Sequence, residues 1–316
     1  MAFLGGVSFE PERDIPDLSG KVILVTGGNT GLGKESLLQL AKHNPKEIFL
    51  AARTPAKAEA AIAEIKEAVP NASISFLQLD LASFKSIENA ANAFNSRSER
   101  LDILLNNAGV MAMPYSKTSE GYEIQFGTNH MGHALLTKLL LPTLLRTAEK
   151  ADADADVRIV NLTSSGHQMA PAGGIIWDQS AAETYGTWAR YGSAKLANIL
   201  HARALQKRYP QLTCTSVHPG VIETELFAST KSSQAVIRWG FWAFSGVGKR
   251  VGILSTIPQG ARNSLWACTG PREEVRKGYL YTPVGNRSNG SRKAKDQALA
   301  EKLWDWTEEE LKKNGY

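Results

Sequence analysis

The 316-residue sequence predicts an α/β fold in which one parallel sheet is covered by helices on both faces. From Lys21 onward, short apolar runs alternate with segments of helical spacing. The first apolar run leads through a glycine-rich turn directly into a helical segment. Strand and helix alternate in this way in a parallel sheet, because parallel strands need crossover connections.

The apolar runs are interpreted as six buried strands, and the segments between them as helices. The predicted strands are Val22 to Val25, Ile48 to Ala51, Ile74 to Leu79, Leu101 to Leu105, Val157 to Leu162 and Leu212 to Val217. The predicted helices are Leu32 to His43, Pro55 to Ala68 with Thr54 as N-cap, Ser83 to Phe94 with Ser83 as N-cap, Gly121 to Glu149, Thr187 to Tyr209 and Glu301 to Lys313. No composition break divides the chain. We therefore expect a single doubly wound domain of Rossmann type over 21–285, preceded by an extension (1–20) and followed by a loop and helix (286–316).

Composition narrows the function classes. Apolar residues make up 43% of the chain, enough for a continuous core. The net charge of +5 is dispersed, and the only basic cluster, Arg287 to Lys295, is interpreted as a solvated loop, so no nucleic-acid partner is expected. Two cysteines form no disulfide or metal pattern, which favours a cytoplasmic location. The N-terminus lacks the features of a signal peptide, and no apolar run reaches the ~18 residues of a transmembrane span.

Glycines at 27, 31 and 33 follow the first predicted strand. Their spacing, Gly-x-x-x-Gly-x-Gly, allows backbone N–H groups and the positive end of the helix dipole to approach a pyrophosphate. A tight turn without a ligand is the alternative for glycines taken alone. The turn lacks the Gly-Lys-Ser/Thr ending of a P-loop, which disfavours a nucleotidase.

Arg53 lies where an acidic residue would hold the ribose 2′-hydroxyl of NAD. An arginine can bind a 2′-phosphate with two charge-assisted hydrogen bonds, whereas a carboxylate would repel it. The cofactor prediction is therefore NADP(H). A surface arginine without a ligand is the alternative.

These and further motifs resemble the classical short-chain dehydrogenase/reductase family, and specifically its retinol-dehydrogenase-like branch, from about residue 18 to 285. The matching motifs are Thr26 to Gly33, Asp80-Leu81, Asn106 to Gly109, Asn129, Ser164, Tyr191 with Lys195, and His218 to Gly220. Together with Arg53, the cofactor contacts that the resemblance implies are Gly27, Asn29, Gly31, Leu32, Gly33, Asp80, Leu81, Asn107, Ala108, Gly109, Tyr191, Lys195, Val221, Ile222 and Thr224.

Tyr191 and Lys195 are the predicted centre of the chemistry. Carbonyl reduction delivers a hydride to carbon and a proton to oxygen, and a tyrosine with a pKa of about 10 relays protons poorly without a nearby cation. Lys195 lies one helical turn after Tyr191 and is expected to lower its pKa. Tyr191 would act as the acid in reduction and the base in oxidation. Tyr185 is excluded, because Ala189 stands where its cation would be.

The resemblance assigns the other catalytic roles. Ser164 would hydrogen-bond the substrate oxygen, with Ser165 left open as an alternative. Asn129 would hold a water in a proton relay to Lys195, and Lys195 would also bind the nicotinamide ribose. The implied enzyme is an NADP(H)-dependent oxidoreductase that interconverts a carbonyl and an alcohol. A non-catalytic cofactor-binding sensor on the same fold is the alternative function.

An insertion between Ser164 and Tyr191 separates them further than in most of the family. Its apolar residues are expected to line or cover the substrate entrance, together with a lid at 221–256, and so to favour a large, lipophilic carbonyl or alcohol. These residues are Ile175, Ile176, Trp177, Tyr185, Trp188, Phe227 and Trp239 to Phe244. The aromatics could instead pack against each other or against a second subunit, since a homo-oligomer through the two long helices is also open. Ile237 to Phe244 could alternatively contact a membrane surface.

Overall fold

The computed structural model describes residues 6–150, 156–222, 254–276 and 279–316. Its strands, in chain order, are β1 (Val22–Thr26), β2 (Glu47–Ala52), β3 (Ile74–Gln78), β4 (Ile103–Asn106), β5 (Arg158–Leu162), β6 (Thr213–Val217), β7 (Val221–Ile222), β8 (Leu254–Ser255) and β9 (Leu280–Tyr281). The described helices are α1 (Pro11–Asp14), α2 (Gly31–Ala41), α3 (Pro55–Ala68), α4 (Phe84–Arg97), α5 (Ile124–Phe126), α6 (Gly132–Lys150), α7 (Thr187–Arg208), α8 (Ile257–Thr269), α9 (Arg272–Arg276) and α10 (Gln297–Lys313).

The main sheet has seven strands in the order β3-β2-β1-β4-β5-β6-β9, and every adjacent pair is parallel. The predicted doubly wound α/β fold is therefore confirmed. The strand order reverses between β1 and β4, so the crevice at the carboxyl ends of these strands is the expected ligand site. β9 was not predicted, because two residues are too few to show a strand period.

Alternate residues of the central strands supply two cores, one on each face of the sheet. Val22 and Leu24 join the first core, beside α4, α6 and α7, while Ile23 and Val25 join the second, beside α2, α3 and α8. Successive side chains of a strand point to opposite faces, which divides β1 in this way.

Both ends of the chain enter these cores. Phe9, Ile15 and Leu18 of the N-terminal extension are buried in the second core, and Leu303 and Leu311 of α10 in the first. The extension and the terminal helix are thus continuous with the domain.

Arg287, Arg292 and Lys295 are exposed, as the interpretation of a solvated loop expected, but part of the segment from Arg287 to Lys295 packs against the protein. Ala294 is buried. The Ser291 N–H donates to His167 Nε2 at 3.2 Å, and Lys293 Nζ donates to the Ala170 carbonyl at 3.2 Å. These contacts hold the loop against the insertion that precedes α7, which polar composition could not reveal.

The long helix predicted from Gly121 to Glu149 is interrupted. The Glu123 carboxylate accepts hydrogen bonds from Gln125 N and Phe126 N, so α5 begins at Ile124. A π-helical turn at Gly127–Met131 then separates α5 from α6. Such a turn inserts one residue without changing the apolar character of the sequence, so the spacing did not predict it.

The helix caps were predicted in part. Ser83 Oγ accepts from Ser86 N, as expected of an N-cap. Thr54 occupies the cap position of α3 but makes no side-chain cap bond. None of the helices in the described ranges is long and apolar enough to cross a membrane.

Candidate active site

The glycine loop joins β1 to α2 at the reversal of strand order. Gly27 and Gly31 have φ values of 67° and 53°, a region that favours glycine. A Cβ on Gly33 would lie 2.3 Å from the Gly27 carbonyl oxygen, so only glycine fits there. Thr30, at the N-cap of α2, makes no side-chain cap bond. The first amides of α2 are therefore available to an anion, and the loop fits the pyrophosphate of a dinucleotide.

Two further loop residues were predicted as cofactor contacts. Asn29 is half-buried in the turn. Leu32 is half-buried and packs against the second core, where its Cδ2 lies 3.0 Å from the position of a Cβ on Gly260. Leu32 therefore offers the cofactor its backbone more than its side chain.

The Asn107–Gly109 segment lies directly beside the glycine loop. Asn107 Nδ2 donates to the Thr26 carbonyl at 2.8 Å. The N–H groups of Asn107 and Ala108 both donate to Thr26 Oγ1 at 3.0 Å. A single threonine hydroxyl at the end of β1 thus fixes two of the predicted cofactor contacts.

Arg53 is exposed just after β2, at the carboxyl edge of the sheet, where a ribose substituent could meet it. Asp80 caps a turn, because its Oδ1 accepts from Ala82 N at 3.0 Å. Leu81 is buried in the first core and so leaves its backbone as the group to meet a ligand.

The last predicted cofactor segment is only partly within the described residues. Val221 and Ile222 form β7, which pairs with β8, and the Ile222 side chain is buried. Thr224 lies outside the described residues, as do Phe227, Trp239 to Phe244 and nearly all of the predicted lid and membrane-contact segment.

Tyr191 and Ser164 meet at the carboxyl end of β5. Ser164 lies two residues beyond the end of β5, where its Oγ accepts from Gly166 N at 3.0 Å and hydrogen-bonds the Tyr191 phenol. Ser165 is exposed. Tyr191, in the second turn of α7, is only 5% exposed. Of the two serines left open by the motif, Ser164 is the one that the fold brings to the tyrosine.

Lys195 lies one turn further along α7, with its Nζ 5.9 Å from the centre of the Tyr191 ring. The ammonium donates to the Leu162 carbonyl at 3.1 Å. Asn198 Nδ2 donates to the same carbonyl at 3.0 Å. Since an ammonium has three N–H donors, Lys195 retains donors for a ribose hydroxyl.

Burial controls the electrostatics of this pair. Desolvation raises the pKa of Tyr191 to about 12, against the lowering effect of the Ser164 hydrogen bond. Desolvation also lowers the pKa of Lys195 to about 8. The pKa of Tyr191 is thus raised by desolvation and lowered only in part by Ser164, so the lowered pKa expected from the spacing of Tyr191 and Lys195 is not seen in this structure.

Asn129 lies in the π-helical turn and is fully buried. Its Oδ1 accepts from Val110 N at 2.8 Å, and its Nδ2 donates to the Val110 carbonyl at 2.9 Å. A Cβ on Gly109 would lie 3.0 Å from Asn129 Oδ1 and 3.4 Å from Lys195 Nζ. The side chains of Asn129 and Lys195 therefore both lie beside the backbone of Gly109.

The insertion before Tyr191 divides into two parts. Ile175 is buried in the first core, and Trp177 packs edge-on against Trp306 of α10 at 5.9 Å between ring centres. Ile175 and Trp177 therefore pack within the protein and do not line the substrate entrance. This agrees with the alternative that the aromatic residues pack against each other.

Other apolar side chains do lie beside the tyrosine. Trp188 meets the Tyr191 ring edge-on at 6.3 Å between ring centres. Met169 is 44% exposed, and it lies next to Gly166, which itself touches the Tyr191 ring. Trp188 and Met169 thus place apolar surface close to Tyr191.

Sequence reasoning missed three polar groups that position the site: Thr26, His133 and the buried pair of Glu123 and Arg190. A weak signal existed for His133, which follows Asn129 by four residues and therefore shares its helix face. The partner of each group is distant in sequence, so the local pattern gave no further signal.

Comparison with known families gives a match over most of the chain. The family model for short chain dehydrogenases matches residues 21–235. The short-chain dehydrogenase/reductase drtF of Aspergillus calidoustus is 40% identical over 95% of this chain and 96% of that protein. Human retinol dehydrogenase 11 is 36% identical over 91% of this chain and 85% of that protein.

Solved structures agree in fold. An uncharacterised protein from Mycobacterium paratuberculosis superposes with a TM-score of 0.68 at 27% identity, covering 97% of this chain and 98% of that chain. The NADPH-bound carbonyl reductase from chicken fatty liver gives a TM-score of 0.58 at 22% identity, covering 80% of this chain and 93% of that chain. At that identity the second likeness concerns the fold alone.

Proposed function

Because this chain belongs to the short-chain dehydrogenase family and to its retinol-dehydrogenase-like branch, it is an oxidoreductase acting on CH–OH groups, and we propose that it uses NADP(H) to interconvert a lipophilic carbonyl and its alcohol. The observation that carries the proposal is the contact of Tyr191 with Ser164, with Lys195 one helical turn away. This group lies at the carboxyl edge of the sheet, on the side of the glycine loop.

In the reducing direction, NADPH held along the glycine loop would supply the hydride that the carbonyl carbon accepts. The Ser164 hydroxyl donates a hydrogen bond to the carbonyl oxygen and stabilises the negative charge that develops there. Tyr191 transfers its phenolic proton to that oxygen, which completes the alcohol. A pKa of about 12 keeps Tyr191 protonated at neutral pH, as a proton donor must be.

Lys195 and Asn129 support the proton transfer in different ways. The Lys195 ammonium stabilises the phenolate that remains after the transfer. The reciprocal bonds between Asn129 and Val110 hold the backbone on which the nicotinamide ribose would lie. In the oxidising direction the same groups act in reverse, with the phenolate accepting the alcohol proton.

Arg53 supports the choice of NADP(H). Its guanidinium is exposed at the carboxyl edge of β2, where it could pair with a 2′-phosphate. Trp188 and Met169 support a lipophilic substrate, since both place apolar surface beside the catalytic tyrosine. The human relative carries the name of a retinol dehydrogenase, and retinol is a substrate of that kind.

The decisive experiment measures NADPH consumption over aldehydes, ketones and quinones, with Tyr191→Phe and its matched control Tyr185→Phe. Tyr191→Phe should lose turnover and still bind NADPH, because only the transferable proton is removed. Tyr185→Phe should retain turnover, since the Tyr185 ring lies at the surface. Turnover by Tyr191→Phe would overturn the mechanism. NADPH binding without turnover of any carbonyl by the wild type would favour the non-catalytic alternative.

A further inference from the structure

His133 joins the cofactor loop to the π-helical turn that carries Asn129. Its side chain is 4% exposed, and its ring touches a different partner at each nitrogen. Nε2 lies 2.9 Å from Thr26 Oγ1, a contact across 107 positions of sequence. Nδ1 lies 3.0 Å from the Asn129 carbonyl oxygen. The imidazole thus bridges β1 and the catalytic segment.

Counting hydrogen bonds fixes the tautomer of this ring. Thr26 Oγ1 already accepts from the N–H groups of Asn107 and Ala108, which use both of its acceptor positions. Its single O–H can donate to His133 Nε2 at 2.9 Å or to the Leu105 carbonyl at 3.5 Å, and the Asn129 carbonyl beside Nδ1 can only accept a hydrogen bond. Nε2 is therefore the acceptor, and the ring proton resides on Nδ1, from which it is donated to the Asn129 carbonyl.

The π-helical turn supplies the acceptor for this proton. Within that turn the ladder shifts, so that Gly132 N bonds the Gly127 carbonyl five residues earlier. His133 Nδ1 bonds the Asn129 carbonyl in this irregular stretch. Burial lowers the pKa of His133 to about 4, so the ring stays neutral and keeps one donor and one acceptor.

These hydrogen bonds hold the backbone of residues 107–110, which faces the proposed cofactor site, from both sides. Thr26 pins the backbone at Asn107 and Ala108. Asn129 pins it at Val110 from the other side. Between these anchors lies Gly109, which is close to Lys195 Nζ. His133 is the only link that ties one anchor to the other through side chains among the described hydrogen bonds of Thr26 and Asn129.

We propose that His133 is a positioning residue that sets the 107–110 backbone against both the glycine loop and Lys195. The expected effect of His133 on turnover rests on the proposed function. Its effect on the order of the 107–110 backbone does not. Loss of the bridge should loosen the 107–110 backbone, weaken NADPH binding and slow the hydride step together.

Three substitutions at His133 separate its two bonds. His133→Leu removes both. His133→Asn places an amide near the former Nδ1 and keeps the bond to the Asn129 carbonyl, while His133→Gln places one near Nε2 and keeps the bond to Thr26. With each neutral hydrogen bond contributing about fivefold, the single-bond variants should lose about fivefold in kcat/KM for NADPH and His133→Leu about 25-fold.

His201 provides the matched control. It is equally buried, at 6% exposure, but its ring stacks on Trp304 of α10. His201→Leu removes a buried imidazole that packs edge-on against His130 of the π-helical turn at 5.5 Å between ring centres but takes part in neither hydrogen bond of His133. It should leave kcat/KM for NADPH within about twofold of the wild type, since it breaks none of these hydrogen bonds.

A double-substitution cycle tests the coupling itself. Thr26→Val should lower kcat/KM in the wild-type background and have a smaller effect in His133→Leu, because one of the three hydrogen bonds that it breaks, the bond to His133, is already gone. Effects that multiply independently would overturn the proposal. So would equal losses in His133→Leu and His201→Leu.

Hydrogen exchange gives a readout that needs no turnover. The amides of Asn107, Ala108 and Val110 should exchange faster in His133→Leu than in wild type or His201→Leu, while β3 amides stay unchanged. Unchanged exchange at 107–110 would refute the bridge even if activity fell. If the wild type shows no NADPH-dependent turnover, the proposed function fails while the exchange result still decides the role of His133. Should His133→Leu fail to fold, the Asn and Gln variants carry the same comparison.

Discussion

The Arg190 Nε lies 3.1 Å from the Glu123 Oε1, and both side chains are almost completely buried. Arg190 also donates to the backbone carbonyls of Tyr185 and Met113. Glu123 caps the start of α5, which leads into the turn of Asn129. Since Arg190 directly precedes Tyr191 in α7, Arg190 and its partners connect this helix to Glu123, to the loop at Met113 and to the insertion at Tyr185.

Arg190→Gln should therefore destabilise the protein and disturb the substrate side of the site. Removing one partner of a buried ion pair leaves a buried charge unpaired, at a cost of about 3–5 kcal/mol in unfolding free energy. Burial raises the pKa of Glu123, and the hydrogen bond from Phe126 N and the positive charge of Arg190 oppose this rise, so the ion pair is one of the contacts that stabilise the carboxylate. Urea unfolding and steady-state kinetics measure the effect, and KM should rise more for the carbonyl than for NADPH.

A double replacement separates charge from packing. Arg190→Leu combined with Glu123→Leu should recover part of the stability lost by either alone, because no unpaired charge remains. The exposed pair of Lys85 and Glu88 is the control, and Lys85→Met should leave the urea midpoint unchanged. An Arg190→Gln variant as stable as the wild type would contradict a stabilising role.

Arg53→Glu tests the cofactor preference. A carboxylate at this exposed position would repel the 2′-phosphate of NADPH and leave NADH without that penalty. Charge-assisted hydrogen bonds of about 1.5–3 kcal/mol imply a loss of about 10- to 100-fold in NADPH affinity. Titration of both cofactors measures it. Lys66→Glu makes the same change of charge near the far end of α3 and should leave both affinities unchanged; an equal effect of both variants would attribute the loss to net charge.

The pH dependence of carbonyl reduction should reflect the ionisation of Lys195. A buried ammonium with a pKa of about 8 carries its charge below that pH and loses it above, whereas Tyr191, with a pKa of about 12, stays protonated throughout. Carbonyl reduction should therefore be flat at neutral pH and decline as pH rises through about 8. Lys195→Arg keeps a positive charge at all accessible pH values and should remove this decline from whatever activity it retains. A wild-type rate that stays flat well above pH 8 would contradict this assignment.

Local patterns predicted the main strands, the glycine loop and the motif residues, because each is a short stretch of contiguous sequence. The motif favoured Ser164 but left Ser165 as an alternative, since the position of each hydroxyl depends on how the chain turns after β5. Burial is likewise a property of the whole fold, which is why the lysine spacing suggested a lowered pKa for Tyr191 and the structure gives a raised one. The bond from Thr26 to His133 crosses from β1 to α6, so only the folded chain reveals it.

Buried histidines should make the fold sensitive to acid. Burial lowers the pKa of His133, His201 and His218 to about 4, from an ordinary value of 6.5. Between these two values the unfolded chain binds more protons than the folded chain, so stability is highest above pH 6.5 and falls as pH decreases toward 4.

Each of these histidines should cost about 3 kcal/mol of unfolding free energy by pH 4. Tm measured from pH 7.5 downward should therefore begin to fall near pH 6.5. His201→Leu should flatten this dependence, because it removes one group that the unfolded state protonates, even if the substitution lowers Tm at pH 7.5. A wild-type Tm that is constant down to pH 5 would mean that these rings take up protons within the fold, and the fixed neutral tautomer of His133 would then be wrong as well.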